Sequence, residues 1–154
     1  MSVRPLVEGD VAALAADLAR LPLLRRYGRS EERIAADLTQ ALSRGEGLLV
    51  NVAESAVRGL CWYLPAGGFG LGGYLKLLAV SPEAIGVGIG ASLLGALEAE
   101  VARASKNVFL LVSDFNAGAQ RFYERHGYAR VGALPGLVLA DVTELIYWKR
   151  LLPP

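Results

Sequence analysis

In the run Pro82-Glu83-Ala84-Ile85-Gly86-Val87-Gly88-Ile89-Gly90-Ala91-Ser92-Leu93, every second residue from Gly86 to Gly90 is glycine. Glycine takes positive φ without strain and lets the backbone come close to another molecule. The apolar segment Leu77-Leu78-Ala79-Val80 just before it reads as a strand. Just after it, Ile89, Leu93, Leu97 and Val101 recur at helical spacing. A strand, a glycine turn and a helix start together make an anion cradle. The first N–H groups of a helix have no partner within it, and the helix dipole favours negative charge there. The pattern therefore points to a ligand that carries phosphates.

A second stretch, Asn116-Ala117-Gly118-Ala119-Gln120-Arg121-Phe122-Tyr123, places Asn116, Ala119 and Tyr123 at i, i+3 and i+7. They share one face of a helix that Gly127 ends. An amide, a small residue and a phenol then line one groove, with Ala119 leaving room for a ligand to lie close. Two plainer readings stand beside this one. Asn116 suits the N-cap of a helix at Ala117, and Tyr123 suits a core-edge aromatic with a wet hydroxyl.

These residues need a scaffold, and the composition bounds it. The chain has 154 residues, 53% hydrophobic and 20% charged, with a formal net charge of +1. That suits one packed globular domain, residues 1–154, rather than a disordered chain. No basic excess points to nucleic acid and no charge block marks a membrane surface. The single cysteine, Cys61, cannot form an intrachain disulfide. With an opening Met1-Ser2-Val3-Arg4-Pro5 that lacks a signal-peptide pattern, it leads to the expectation of a reducing, cytoplasmic setting.

The elements follow from periodicity and caps. Val3-Arg4-Pro5-Leu6 predicts a short strand, and Asp10 a cap for a helix from Val11 to about Arg20. Ser30 predicts the N-cap of a helix running to about Ser43, with Ile34, Leu38 and Leu42 on its buried face. Leu48–Ala53 and Ala56–Tyr63, joined by Glu54-Ser55, predict an antiparallel hairpin. The stretch Ala66–Gly73 predicts a flexible loop. Strands buried on both faces are expected over Tyr74–Val80 and Asn107–Val112, a helix over Ala117–His126, and strands near Tyr128–Leu134 and Thr143–Leu151. The order is mixed α/β: antiparallel strands, one βαβ unit, then a last strand pair.

Together the two stretches resemble the GNAT superfamily of N-acetyltransferases, which use acetyl-coenzyme A. Val80-x-Pro82 followed by Gly86-x-Gly88-Ile89-Gly90-x-x-Leu93-Leu94 is similar to that family's pyrophosphate motif. Asn116-x-x-Ala119-x-x-Phe122-Tyr123-x-x-x-Gly127-Tyr128 is similar to its later motif. One departure is Ile85, where the family usually carries Arg or Gln. The resemblance implies a mixed, mostly antiparallel central sheet flanked by helices, with the coenzyme site on the βαβ unit. It implies acetyl-CoA as co-substrate, no metal, and direct attack of a primary amine on the thioester. Gly86, Val87, Gly88, Gly90 and Ala91 would offer N–H groups to the phosphates. The backbone of Leu78, Ala79 and Val80 would pair with the pantetheine arm like an added strand, with an N–H near Leu78 facing the thioester carbonyl. Asn116 would bond the same arm, Ala119 would leave it space, and Tyr123 would be the general acid for the leaving thiolate. Glu83, Asp114 and an ordered water are candidates for the general base.

Other readings are weaker on the residues. A dinucleotide turn needs GxGxxG, whereas the spacing here is GxGxG, and too little chain follows Asp114 for a doubly wound sheet. A catalytically silent CoA-binding sensor is the alternative that Ile85 keeps open. Cys61 reads as packing beside Trp62, and His126 as a helix-end residue without a catalytic role. Arg125 is a candidate for a coenzyme phosphate. The acceptor, a small-molecule or peptide amine, is not readable from the chain. The hydrophobic content makes a homodimer plausible.

Overall fold

The computed structural model describes residues 1–152. Its strands are β1 (Ser2–Pro5), β2 (Gly47–Ala53), β3 (Ala56–Leu64), β4 (Gly73–Val80), β5 (Asn107–Ser113), β6 (Ala129–Pro135) and β7 (Thr143–Arg150). Its helices are α1 (Val11–Ala19), α2 (Pro22–Arg26), α3 (Glu31–Ser43), α4 (Ile89–Ala102) and α5 (Ala117–Arg125). The strands form one seven-stranded sheet in the order β1-β2-β3-β4-β5-β7-β6. The expected mixed α/β architecture is therefore present. The chain gathers into two compact units, Met1–Tyr63 with Leu77–Ala99, and Leu64–Lys76 with the residues from Glu100 on.

In the first unit β1 and β3 flank β2, both antiparallel. The hairpin turns on Glu54 and Ser55, with φ of 52° and 62°. Positive φ at both central residues gives a two-residue turn the twist of its strands, here without the usual Asn-Gly. Leu14 and Leu18 of α1, Leu38 of α3, Val50 of β2 and Leu60 of β3 are sealed into one core. On α4 the expected stripe is buried, with Ile89 at 2% exposure and Leu93 and Leu97 at 0%. Cys61 is fully buried on β3, and burial pushes its thiol up to about 12.

The Ser30 oxygen accepts the N–H of Arg33 at 3.1 Å, the expected cap of α3. Ser30→Ala is expected to lower stability by about 1 kcal/mol, measured by urea denaturation. Asp10 does not cap α1. Its carboxylate takes both guanidinium N–H groups of Arg4 (2.7 and 3.0 Å) and the N–H of Val7 (2.9 Å). A charged bidentate partner outcompetes a helix N–H. The short helix α2 was not expected, although its Pro22 start and closing Arg25-Arg26 are its signals.

In the second unit β5 pairs in parallel with the start of β4, Gly73–Leu75 opposite Val108–Leu110. It pairs antiparallel with β7 along its whole length, and β7 in turn with β6. Strand β7 thus lies between β5 and β6. Two expectations are corrected here. First, β4 and β5 are not sealed on both faces. On β5, Val108, Leu110 and Val112 are buried while Phe109 and Leu111 are half-buried; of Leu77–Val80, only Ala79 is buried. Apolar runs record the avoidance of charge, and one face of these strands stays partly open. Second, the glycine-rich loop is not slack. Gly68 N–H donates to Gly72 C=O (2.9 Å), Leu71 N–H to Gly68 C=O (2.8 Å), and Asn107 carries the Leu71 carbonyl (2.9 Å).

Candidate functional site

The turn between β4 and α4 is built as the glycine spacing requires. A short 3₁₀ turn, Pro82–Ala84, leads out of the strand. Gly86 and Gly88 then take φ of +90° and +89°. Side chains rarely adopt that conformation, so glycine is dictated at both positions. A Cβ at either would meet nothing within 4 Å. No neighbour crowds the turn; its glycines serve backbone direction and leave open space above it. Ile85 and Val87 flank this space at 66% and 62% exposure. Ser92 N–H, bonded to Gly88 C=O at 3.1 Å, is the first helical bond of α4. By helix geometry the N–H groups of Ile89, Gly90 and Ala91 have no partner within the helix. Exposed amides, positive-φ glycines and the positive end of a dipole suit an anion, and the bridging phosphates of a coenzyme fit that donor set.

The turn is braced from below by residues that sequence reasoning missed. Ser81, fully buried, donates its N–H to Arg58 C=O (2.8 Å) and its hydroxyl to Asp17 (2.9 Å). Asp17 also accepts from Arg20 (3.1 Å), and Arg20 clamps both carboxylate oxygens of Glu83 (2.6 and 3.0 Å). On the other side, the buried Asn51 amide donates to Ser92 Oγ (2.8 Å), which donates to Ile89 C=O (2.9 Å). No sequence signal joins α1 or β2 to a distant turn; only the folded chain does.

These contacts bear on the acid–base candidates. The Arg20 guanidinium holds the Glu83 carboxyl down at about 2. A group so acidic has little affinity for a proton at neutral pH, so Glu83 is a brace and a poor general base. Asp114 ties the end of β5 to the start of β7. Its N–H donates to Thr143 C=O (2.9 Å) and its carboxylate accepts the Thr143 N–H (3.2 Å).

In the second unit, Asn116, Ala119 and Tyr123 lie along α5 as their spacing implies. The Asn116 side-chain oxygen accepts the Ala119 N–H at 3.1 Å. It is thus the N-cap, and the cap leaves its NH₂ half for another acceptor. Tyr123 is 8% exposed. Its ring meets Phe122 edge-on at 5.2 Å and Tyr128 at 5.7 Å. Such contacts fix the direction of the phenol. Gly127, at φ +89°, ends the helix as a C′ glycine. A His126 ring nitrogen lies 2.8 Å from Phe122 C=O, a local contact at the helix end. Among the described residues no group of His, Cys, Asp or Glu is placed to hold a metal ion, and no helix is long and apolar enough to cross a membrane.

Comparison with known proteins agrees with this arrangement. No curated protein matches the chain. Many solved structures share the fold. The ribosomal-protein-alanine N-acetyltransferase of Brucella melitensis superimposes with a TM-score of 0.79 at 23% identity, over 98% of this chain and 100% of that one. An aminoglycoside 6'-acetyltransferase type Ii gives 0.77 at 24% identity, over 100% and 99%. An aminoglycoside 6'-N-acetyltransferase complexed with coenzyme A gives 0.78 at 20% identity, over 100% and 99%. At these identities the likeness is one of fold. The family model for the acetyltransferase (GNAT) family matches residues 15–128, a span that includes both the glycine turn and the Asn116–Tyr123 face. The chain belongs to the acetyltransferase (GNAT) family.

Proposed function

We propose that this chain is one acyltransferase domain that moves an acetyl group from acetyl-CoA to a primary amine. The observation that carries the reading is the pair Gly86 and Gly88 at φ +90° and +89°, with open space above them at the start of α4. Bound acetyl-CoA supplies an activated acyl thioester. The chain's own residues have separate tasks. The N–H groups of Gly86, Val87, Gly88, Gly90 and Ala91 hold phosphate oxygens. The backbone of Leu78–Val80, in which Ala79 is buried and its two neighbours half-buried, offers an edge for the pantetheine arm, and an N–H near Leu78 faces the thioester oxygen. The NH₂ of Asn116 reaches the same arm while its oxygen caps α5, and Ala119 leaves clearance. Tyr123 gives its phenolic proton to the departing thiolate. In model compounds that transfer is uphill by roughly 2 kcal/mol, from a phenol near 10 to a thiol near 8.5. A fixed ring offsets part of this by avoiding reorganisation. With Glu83 held by Arg20, an ordered water is the favoured base for the amine.

The acceptor class draws support from similar folds. Two of the superimposed proteins are named for aminoglycosides and one for the alanine of a ribosomal protein, so amines of very different size are served by this scaffold.

Coenzyme binding is tested first. Coenzyme A at 100 times its dissociation constant is expected to add about 2.7 kcal/mol. For a domain of this size that raises the melting temperature by about 5–10 °C. NAD at the same concentration is expected to leave it unchanged. A shift with NAD alone would sink the coenzyme assignment. The exposed Ile85 favours one second reading, a silent coenzyme-binding sensor. Acetyl transfer to a panel of amines separates the two, since a sensor binds coenzyme without turnover.

A further inference from the structure

Asn51 of β2 is fully buried, between Val50 and Val52 in its strand. Strands disfavour asparagine, and an apolar residue would serve packing better. Its amide is only half satisfied. Nδ2 donates to Ser92 Oγ at 2.8 Å and to the Met1 sulfur at 3.3 Å. Oδ1 has no hydrogen-bond partner. An unpaired buried acceptor is costly, and folds seldom keep one without a reason.

The Ser92 hydroxyl donates in turn to the Ile89 C=O at 2.9 Å. That carbonyl and the N–H of Gly90 are two ends of one peptide group. A hydrogen bond received at the oxygen polarises the group and strengthens its N–H as a donor, by about 10–30% per bond in such chains. The Gly90 N–H is among the free amides in the first turn of α4. A chain of hydrogen bonds thus runs from the sheet through Asn51, Ser92 and the Ile89–Gly90 peptide, and ends on a free donor at the helix start.

Two features of the sheet bring Asn51 within reach of α4. Gly59 stands opposite Asn51 on β3, and residues opposite one another in a ladder share a face. A Cβ on Gly59 would lie 2.8 Å from Ile89 Cγ2 and 3.0 Å from Leu93 Cδ1, so glycine lets α4 settle against this face. Directly after Asn51 the register slips. Val52 pairs with Val57, and Arg58 is left without a partner on β2. Such a bulge bends a strand and re-aims its side chains. The Arg58 C=O accepts the Ser81 N–H at 2.8 Å, so the same bulge touches the segment that leads into the glycine turn.

We propose that Asn51 is the positioning residue of the phosphate cradle: through Ser92 it fixes the first turn of α4 and aims the Gly90 N–H at a phosphate oxygen. The need for it lies in the turn itself. From Ile85 to Ala91 no side chain carries a charge, so these residues hold an anion by backbone amides and the helix dipole alone. Without a cation in the turn, the direction and strength of each amide set the affinity. The role rests on coenzyme A being the ligand of this turn.

The test is calorimetry with coenzyme A, urea denaturation and the amide spectrum of the unliganded protein, on the wild type, Asn51→Leu and Ser92→Ala. Leucine resembles asparagine in shape and removes both the donor and the orphaned oxygen. Asn51→Leu should raise the dissociation constant about tenfold, the scale of one bond to a charged group. Its urea midpoint should hold or rise. In acetyl transfer the loss should fall on the KM for acetyl-CoA, with kcat within about twofold. The Gly90 amide nitrogen resonance should move in both variants, with that of Gly95 further along α4 unmoved. Ser92→Ala should reproduce the affinity loss, and serves if Asn51→Leu does not fold. The double variant should lose no more than the larger single loss, because the links lie in series. Unchanged affinity in both variants overturns the proposal, as does an affinity loss with a still Gly90 resonance. A lower urea midpoint alongside the affinity loss of Asn51→Leu marks a structural asparagine and overturns it too. Failure of the wild type to bind coenzyme A removes the coenzyme reading and the role with it. Wild-type binding that both variants share removes the role alone.

Discussion

A Tyr123→Phe variant is expected to transfer acetyl about 10²-fold more slowly in a single turnover, with coenzyme affinity nearly unchanged. The substitution keeps the ring and removes one hydroxyl. The edge contacts with Phe122 and Tyr128 belong to the ring, so its position is kept. Losing a hydroxyl in so buried a setting costs about 1 kcal/mol of stability, well within what a domain tolerates. The chemical step loses its proton donor, and the loss falls on the transition state. The Michaelis constant for acetyl-CoA should therefore stay within a few-fold. Single-turnover rates are the measurement, because product release can hide a slowed chemical step. An unchanged rate would take Tyr123 out of the mechanism and pass the proton to water or another donor. The coenzyme assignment would stand.

Gly88→Val should weaken coenzyme A binding by about 10²-fold, the loss of roughly two charge-assisted hydrogen bonds. The site has space for the side chain, so no clash with the protein is involved. The backbone is the cause. At φ +89° a β-branched residue is an outlier, and the turn is driven back to negative φ, which re-aims the amides. The strain is about 1–3 kcal/mol at most, so the fold survives. Gly95→Ala is the control. Gly95 lies within α4 with nothing within 4 Å of its added Cβ and without a positive φ. Alanine there should raise helix stability by about 0.5–1 kcal/mol and leave coenzyme binding alone. Ile85→Arg complements the pair, and tighter binding is expected where the family's usual side chain is restored. Should Gly88→Val, folded by circular dichroism, bind coenzyme A normally, the phosphate cradle lies elsewhere.

How far the sequence reached depends on the range of the interaction. Local rules carried the short-range features. Ser30 announced α3, Ile89 to Val101 announced α4, and the alternating glycines announced a turn that needs positive φ at Gly86 and Gly88. Failures began where a local rule competed with a distant partner. Asp10 suited a helix cap, yet Arg4 claimed its carboxylate. Glu83 suited a base, yet Arg20, far away in the chain, neutralised it. The glycines of the loop at 66–73 read as slack, yet two of them, Gly68 and Gly72, allow close approach to β5. Strand order is the least local property of all. Nothing in the residues of β7 shows that it inserts between β5 and β6. At Asn116 the plain reading holds, since its oxygen caps α5, and the NH₂ end is left for the proposed ligand contact.

The buried Cys61 has a consequence for redox behaviour. With its thiol pushed up to about 12, the thiolate fraction near pH 7 is on the order of 10⁻⁵. Oxidants and alkylating reagents attack thiolates, and they need access. This protein is therefore mute to thiol chemistry. In an assay of the proposed acetyl transfer, a disulfide reagent would therefore read released coenzyme with no background from the folded polypeptide's one cysteine.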